Sequence, residues 1–448
     1  MNKSLMKTIS ISMIGNLFEW YDFALFGYFA PIIGALFFPS EDKTVQIIAA
    51  FGVFAAGFIV RPLGGMIFGH IGDRLGRKKA LVLTILLMAI PTAIIGVLPS
   101  YATIGIWAPI LLILMRMLQG ISMGGNYGGS ITFTTEHTNP NQRGLIGSFA
   151  VTSCLVGILL GSATAALFAN IFGDEVLQEW GWRLPFLLGI LICLVGFYMR
   201  RNIPESPEYV EAENTGHLVQ QPVKEVFVTH GRTLVKVVLA VMLHDLSFYI
   251  LFVYMATHLS ENLGLTKETA LTINTINLIF VSLFTIASGW LSDKIGRKLV
   301  LAISASLFIV LTIPLLYLVD NSGGDFTTIL LAQMVLAIAV GGYFGPLPAL
   351  LVEAYPTSVR FSAVTLTTNI SGPLFGGTAP MLVAYLISIT GQNMVPAYYL
   401  TIGAVVALIS LRFIRSFPVE LAKGKGHKRS KIDHEIQNDL ITENLREA

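Results

Sequence analysis

The residues of this sequence that could do chemistry lie inside apolar runs. Glu19 and Asp22 stand one helical turn apart in Gly15-Asn16-Leu17-Phe18-Glu19-Trp20-Tyr21-Asp22-Phe23. Farther on, Arg116, Gln119, Asn126 and Ser130 share one face at helical spacing, and His244 stands beside Asp245 with Tyr249 and Tyr254 following. An ionised side chain at the centre of a bilayer costs about 2.5–3.5 kcal/mol on insertion scales, so each needs a partner or a role. Glu19 and Asp22 can serve transport, or they can pair with a cation as pure structure. Arg116 can be a structural ion pair, or a fork that receives a solute carboxylate. His244 and Asp245 read as a proton-relay element or as a hydrogen-bonded structural pair, with adjacent residues pointing about 100° apart on a helix. The aromatics around Glu19, Trp20 among them, either pack or wrap an ammonium group by cation–π contact.

A second kind of cluster is the charged hairpin Gly69-His70-Ile71-Gly72-Asp73-Arg74-Leu75-Gly76-Arg77-Lys78-Lys79. Its pattern, Gly-x-x-x-Asp-[Arg/Lys]-x-Gly-Arg-Lys, returns as Gly289-Trp290-Leu291-Ser292-Asp293-Lys294-Ile295-Gly296-Arg297-Lys298, about 220 residues later. Such a recurrence implies two similar halves. Glycines allow tight turns, Asp73 can meet a helix N-terminus, and Arg77 can bridge to an acid. Contacts of that type hold one packing state and break in another. Gly69, Asp73, Arg74, Gly76, Arg77, Asp293, Gly296 and Arg297 are therefore candidate latch residues. Topology alone would need only the cations. The junctions Glu136-His137-Thr138-Asn139-Pro140-Asn141-Gln142-Arg143 and Glu353-Ala354-Tyr355-Pro356-Thr357-Ser358-Val359-Arg360 are a second trace of the repeat.

The elements that position these groups follow from composition. Of 448 residues, 54% are apolar and 12% charged, against about 25% charged in soluble domains. A water-facing surface cannot be built from that supply, so the chain is expected to be an integral membrane protein. A spanning helix takes about 20 apolar residues, and twelve such runs are present: roughly 12–37, 46–70, 80–98, 104–132, 144–172, 183–201, 235–259, 270–291, 299–319, 327–351, 361–388 and 395–415. They are too long and too continuously apolar for barrel strands. Lys and Arg, with Arg143, Arg200 and Arg360 among them, collect in the loops on the hairpin side, which predicts cytoplasmic N- and C-termini. The expected organisation is a six-helix half (1–201), a cytoplasmic linker (202–234), a second six-helix half (235–416) and a cytoplasmic tail (417–448). No cleaved signal peptide is expected, and Cys154 and Cys193 read as small hydrophobes. No Gly-x-Ser-x-Gly, His-Glu-x-x-His or phosphate-loop stretch is present, so neither an enzyme nor an ATP-driven pump is expected.

Several motifs carry a resemblance. The doubled hairpin, Arg116-x-x-Gln119-Gly120, Pro204-Glu205-Ser206-Pro207 and Glu353-x-x-Pro356-Thr357-x-x-Arg360 resemble the major facilitator superfamily. Gly15-Asn16-x-x-Glu19-Trp20-Tyr21-Asp22-Phe23, Arg61-Pro62-Leu63-Gly64-Gly65, Pro99-Ser100-Tyr101-x-Thr103-Ile104-Gly105 and Pro396-Ala397-Tyr398-Tyr399 look like its metabolite–proton symporters, and most like bacterial proline/betaine transporters. The resemblance implies an all-α membrane protein with twelve transmembrane helices in two six-helix pseudo-symmetric bundles, rocking about a central site lined by helices one, four, seven and ten. It implies solute contacts at Arg116, Gln119, Asn126, Tyr127, Trp20 and Tyr249, and proton coupling at Glu19, Asp22, His244 and Asp245.

No cofactor or metal is implied, the proton gradient supplying the energy. The implied partners are the lipid bilayer, a zwitterionic or carboxylate solute and protons, with no nucleic acid, for a monomer in the bacterial inner membrane. One departure stands out: the family commonly shows Gly-Gly-Glu where this chain has Gly124-Gly125-Asn126. Coupling then rests on the remaining acids, or the protein is an uncoupled facilitator or exchanger. Relatives that carry 2-oxoglutarate, citrate or shikimate keep a carboxylate symporter open as well. A non-transporting membrane sensor is the reading of another class, and the tail is too short for an output domain.

Overall fold

Backbone amides inside a bilayer have no water to bond, so long apolar runs close their hydrogen bonds internally as helices. The computed structural model, which describes residues 3–41, 43–201 and 203–415, follows that rule. The first half contains α1 (Lys3–Tyr28), α2 (Ala30–Phe37), α3 (Lys43–Ile59), α4 (Arg61–Arg74), α5 (Arg77–Val97), α6 (Tyr101–Ile104), α7 (Trp107–Glu136), α8 (Arg143–Val176) and α9 (Arg183–Arg201). The connecting stretch holds α10 (Pro207–Asn214) and α11 (Pro222–Val228). The second half contains α12 (Gly231–Phe248), α13 (Met255–Glu261), α14 (Lys267–Ile295), α15 (Arg297–Asp320), α16 (Phe326–Phe344), α17 (Leu347–Glu353), α18 (Arg360–Ser371), α19 (Ala379–Thr390) and α20 (Val395–Phe413).

Among the described residues nine helical spans are long and apolar enough to cross a membrane, or ten if α1 and α2, bent by 65°, count as one. The two other expected spans, 46–70 and 183–201, are helical as α3 with α4 and as α9. Several runs expected to be continuous are broken. Pro31 in the first turn of α2 explains the first bend, since proline removes a donor and clashes with the preceding turn. Tyr249–Tyr254 and Gly372–Gly377 are π-helical segments between α12 and α13 and between α18 and α19. Such segments concentrate at functional sites. The stretch expected as a linker holds α10 and α11: Ser206 caps α10 by accepting the amide of Tyr209 at 3.2 Å, with Pro207 in the first turn. The expected tail lies outside the described residues.

The two halves meet along two equivalent pairs, α4 against α18 and α8 against α14. Lipid tails are as apolar as leucine, so helices in a bilayer associate through close packing rather than hydrophobic burial. The first glycine of each hairpin supplies that closeness. A Cβ on Gly69 would lie 2.9 Å from Ser362 Cα, and one on Gly289 would lie 2.6 Å from the carbonyl oxygen of Gly144. The second glycine makes the corner. Gly76 has φ 110° and ψ 144°, and Gly296 has φ 102° and ψ 142°, a region that other residues enter only with strain. The repeat seen in the sequence is thus a repeat of backbone conformation.

Alanine at either corner should cost about 1–3 kcal/mol of backbone strain. At position 76 a Cβ would also meet Glu205 Oε2 at 2.4 Å, whereas position 296 is open. Unfolding in detergent should therefore show a lowered midpoint for Gly296→Ala and a larger drop for Gly76→Ala. Wild-type midpoints for both would contradict this reading.

Candidate functional site

Each hairpin carboxylate sits on the first amides of a helix in the opposite half. Asp73 accepts the backbone N–H groups of Phe361 and Ser362, at 3.1 and 2.8 Å, at the start of α18. Asp293 accepts those of Gly144 and Leu145, both at 2.8 Å, at the start of α8. Helix N-termini present unpaired N–H groups and a positive dipole end, which suits an anion. Each acid also has a cation one turn on: Arg77–Asp73 and Arg297–Asp293 are both 3.0 Å. Arg77 continues to Glu136 at 3.2 Å and donates to the carbonyl of Thr357 at 2.8 Å in the other half. Arg297 repeats this with Glu353 at 3.3 Å and the carbonyl of Pro140 at 2.6 Å.

The connecting stretch braces this interlock. Glu208 bridges Arg143 and Arg360, one from each half, and Ser206 Oγ donates to Glu136 at 2.5 Å. Glu205 accepts the amide of Lys78 at 3.1 Å, and Tyr209 donates to the carbonyl of Arg74 at 3.0 Å. Burial raises the Tyr209 phenol above its usual range, which keeps it a donor. Of the expected latch residues, Arg74 contributes only that carbonyl and its side chain is exposed. Arg143, Arg200 and Arg360, expected as loop cations that set topology, are instead buried.

Deeper in the first half, α1, α5, α7 and α9 position two polar networks. In one, Arg116 Nη1 donates to Asp22 Oδ2 at 2.8 Å and Gln119 Oε1 at 2.7 Å. Thr92 Oγ1 donates to Asp22 Oδ1 at 3.1 Å and accepts Gln119 Nε2 at 2.7 Å, and the guanidinium lies 4.1 Å over the Phe26 ring. Arg116, Asp22, Gln119 and Thr92 are all buried. In the other network Asn126 Nδ2 donates to Glu19 Oε2 at 2.8 Å, while Asn126 Oδ1 accepts Arg200 Nη2 at 2.9 Å. Asn16 and Ser130 complete it at 2.8 Å. The two acids of α1 thus differ. Asp22 has a guanidinium partner, and Glu19 has an amide. A cavity of about 10 Å³ lies beside Glu19 and Asn126, at the threshold for one water.

Between the halves, five aromatic rings close a circuit. Successive centroids are 5.1 Å apart for Trp20–Phe23, 5.8 Å for Phe23–Phe58, 6.4 Å for Phe58–Tyr249, 5.3 Å for Tyr249–Phe248 and 5.6 Å for Phe248–Trp20. All lie within the range of interacting rings. Glu19 immediately precedes the circuit's Trp20 on α1, and Asp245 stands one helical turn before its Tyr249. Asp245 accepts Ser371 Oγ at 2.5 Å and touches His244 Nδ1 at 3.0 Å, so the neighbouring pair does meet, and the His244 ring stacks on Phe344 at 4.2 Å.

Sequence reasoning placed Trp20, Tyr127 and Tyr249 near one another only through the resemblance. It missed Phe58, Phe248, Thr92, Glu208 and the burial of Arg143, Arg200 and Arg360. Arg61 appeared only within a motif, yet its guanidinium stacks 3.8 Å over Phe58.

Arg116→Gln should leave Asp22 buried without its cation, a loss of about 3–5 kcal/mol for a broken buried pair. Detergent unfolding should show a large drop in midpoint for Arg116→Gln and recovery in the double variant Asp22→Asn/Arg116→Gln. A single variant as stable as wild type would contradict the pairing.

The family described as "Sugar (and other) transporter" matches residues 7–218, and that described as "Major Facilitator Superfamily" matches residues 237–443. A proline/betaine transporter of Salmonella typhimurium is 36% identical over 417 residues, 91% of this chain and 82% of that protein. A glycine betaine/proline/ectoine/pipecolic acid transporter of Dickeya dadantii is 34% identical over 429 residues, covering 94% and 85%. Among solved structures, the proton:xylose symporter bound to 6-bromo-6-deoxy-D-glucose superposes with a TM-score of 0.76 at 19% identity, over 92% of this chain and 96% of that one. The human organic anion transporter MFSD10 superposes with a TM-score of 0.65 at 16% identity, over 93% and 100%.

Proposed function

The chain belongs to the major facilitator superfamily and is a multi-pass secondary transporter of small solutes; we propose that within it this protein is a proton symporter that imports a small zwitterion, proline or glycine betaine, across the bacterial inner membrane. The observation that carries this reading is the five-ring circuit shared by the two halves, with Glu19 next to its Trp20 and Asp245 one turn before its Tyr249. Aromatic faces attract an ammonium group, more strongly when it is desolvated, and nearby carboxylates add to that attraction. The names of the relatives from Salmonella typhimurium and Dickeya dadantii support the same solute class.

The hairpin side, rich in Lys and Arg, faces the cytoplasm in this reading, with both termini there and the protein acting as a monomer. The state described is then closed toward the cytoplasm. Glu19 is the candidate proton carrier. It is a buried carboxylate with an amide donor and no cation within ion-pair distance among the described residues, so a proton would remove its charge. Asp22 is held by Arg116, and for Arg116 to meet a solute carboxylate Asp22 must first let go. Asp245, bonded to His244 and Ser371, is the matching acid of the second half. Solute and proton together would permit the interlock to release and the halves to rock. The membrane potential supplies about 2.3 kcal/mol per charge per 100 mV, more than the roughly 1.4 kcal/mol of a tenfold gradient.

Asn126 favours a second reading, an uncoupled facilitator or exchanger, because it puts an amide where the family commonly has an acid. Uptake of radiolabelled proline, betaine, 2-oxoglutarate and citrate into proteoliposomes, with and without an imposed pH gradient, separates the readings. Proton symport predicts that an inside-alkaline gradient drives proline or betaine above equilibrium. Uptake indifferent to the gradient would leave the facilitator, and uptake of carboxylates alone would replace the zwitterion.

A further inference from the structure

We propose that Arg61 binds the carboxylate of the transported solute at the face between the two halves, while the aromatic circuit holds its cationic end. This rests on the zwitterion reading above and assigns the anionic end to a residue that neither the repeat nor the polar stripes of α1 and α7 had singled out. Arg61 opens α4 directly after the break at Val60. Its Cζ lies 3.8 Å over the Phe58 ring, and Phe58 is one of the circuit's five members, facing Tyr249 of the other half at 6.4 Å. Stacked on Phe58, the guanidinium lies at the edge of the circuit where the two halves meet.

Its partners set it apart from the arginines of the interlock and from Arg116, while Arg200 bonds the Leu81 carbonyl and the Asn126 amide oxygen. Arg77, Arg116, Arg143, Arg297 and Arg360 each meet a carboxylate within 4.0 Å. Among the described residues Arg61 meets none, and the hydrogen bond it makes goes to the thioether sulfur of Met123 at 3.3 Å, a weak acceptor. Its Nε is buried without a hydrogen-bond acceptor, as are those of Arg116, Arg143, Arg200 and Arg297. A half-buried guanidinium is a strong, planar donor set matched to a carboxylate, and leaving it on a thioether and a phenyl face keeps most of that capacity unused. A carboxylate arriving over Phe58 would meet those donors, and the ammonium of the same small molecule would lie over the adjoining rings. Arg116, by contrast, already spends its guanidinium on Asp22 and Gln119.

Calorimetric binding of glycine betaine and L-proline to the purified full-length protein tests this, with choline, which keeps the quaternary ammonium and lacks the carboxylate, as the probe of the cationic end. Losing the charged hydrogen bonds should weaken betaine and proline roughly ten- to a hundredfold in Arg61→Gln, with choline affinity and the detergent unfolding midpoint unchanged. Arg61→Lys, which keeps the charge and loses the fork, should fall between, and it carries the test if Arg61→Gln fails to fold. Wild-type betaine and proline affinity in the folded Arg61 variants would overturn the assignment and leave the zwitterion reading standing. A wild-type protein that binds neither betaine nor proline would overturn the reading itself, and the assignment with it.

Discussion

A carboxylate of one half seated on the opening amides of a helix in the other half is the contact on which the described state depends. It occurs twice, through Asp73 on α18 and Asp293 on α8. Each carboxylate accepts two backbone hydrogen bonds, lies at the positive end of a helix dipole and has its charge balanced by an arginine one turn away. The surrounding sequence serves this geometry. One glycine lets the helices approach, another turns the corner at positive φ, and the arginine reaches a carbonyl across the interface. The interlock is made of many hydrogen bonds to atoms that water could satisfy equally well. Its polar contacts can therefore be exchanged for water on opening, whereas Phe361, buried against Phe68 and Ala80 of the first half, would lose apolar packing.

In the first half α7 connects this latch to the membrane interior, as does α5 from Arg77 to Thr92. α7 carries Arg116, Gln119, Asn126 and Ser130 at its middle and ends in Glu136, which Arg77 and Arg360 both hold. A change of charge on α1 therefore acts on the same rigid rod that anchors the interlock. The two acids of α1 are prepared differently for such a change. Asp22 is matched to Arg116, whereas Glu19 faces Asn126, which in turn occupies Arg200. Arg200 bonds the neutral amide of Asn126 and the Leu81 carbonyl, which leaves Glu19 as the acid of this network.

Much of this was legible in the sequence because hydropathy and repetition are strong signals. The apolar runs located the helices, and the doubled hairpin located both halves and both interlocking acids. Their partners were not legible. Asp73 binds the amides of Phe361 and Ser362, and a backbone amide leaves no trace in residue type. Arg143, Arg200 and Arg360 were counted as loop cations since their positions at helix ends suit topology equally well; only the fold shows them buried. His244 and Asp245 point apart on an ideal helix, yet side-chain rotation brings them to 3.0 Å. The aromatic circuit draws on α1, α3 and α12, far apart in the chain, and no local spacing announces it. Arg61 escaped notice because an arginine is recognised as unusual only once its partners can be counted.

The central claim is that the two hairpin carboxylates hold one side of the transporter shut. Spin labels at Leu75 and Ile295, exposed residues of the two hairpins, introduced by cysteine substitution in a protein with Cys154 and Cys193 replaced by serine, report the separation of the halves on that side. Pulsed electron–electron resonance on Asp73→Asn/Asp293→Asn should show a new population at longer distance than in the parent, since each substitution removes a charge worth about 1.5–3 kcal/mol in its hydrogen bonds. A distance distribution identical to the parent's, in a variant that remains folded, would contradict the account.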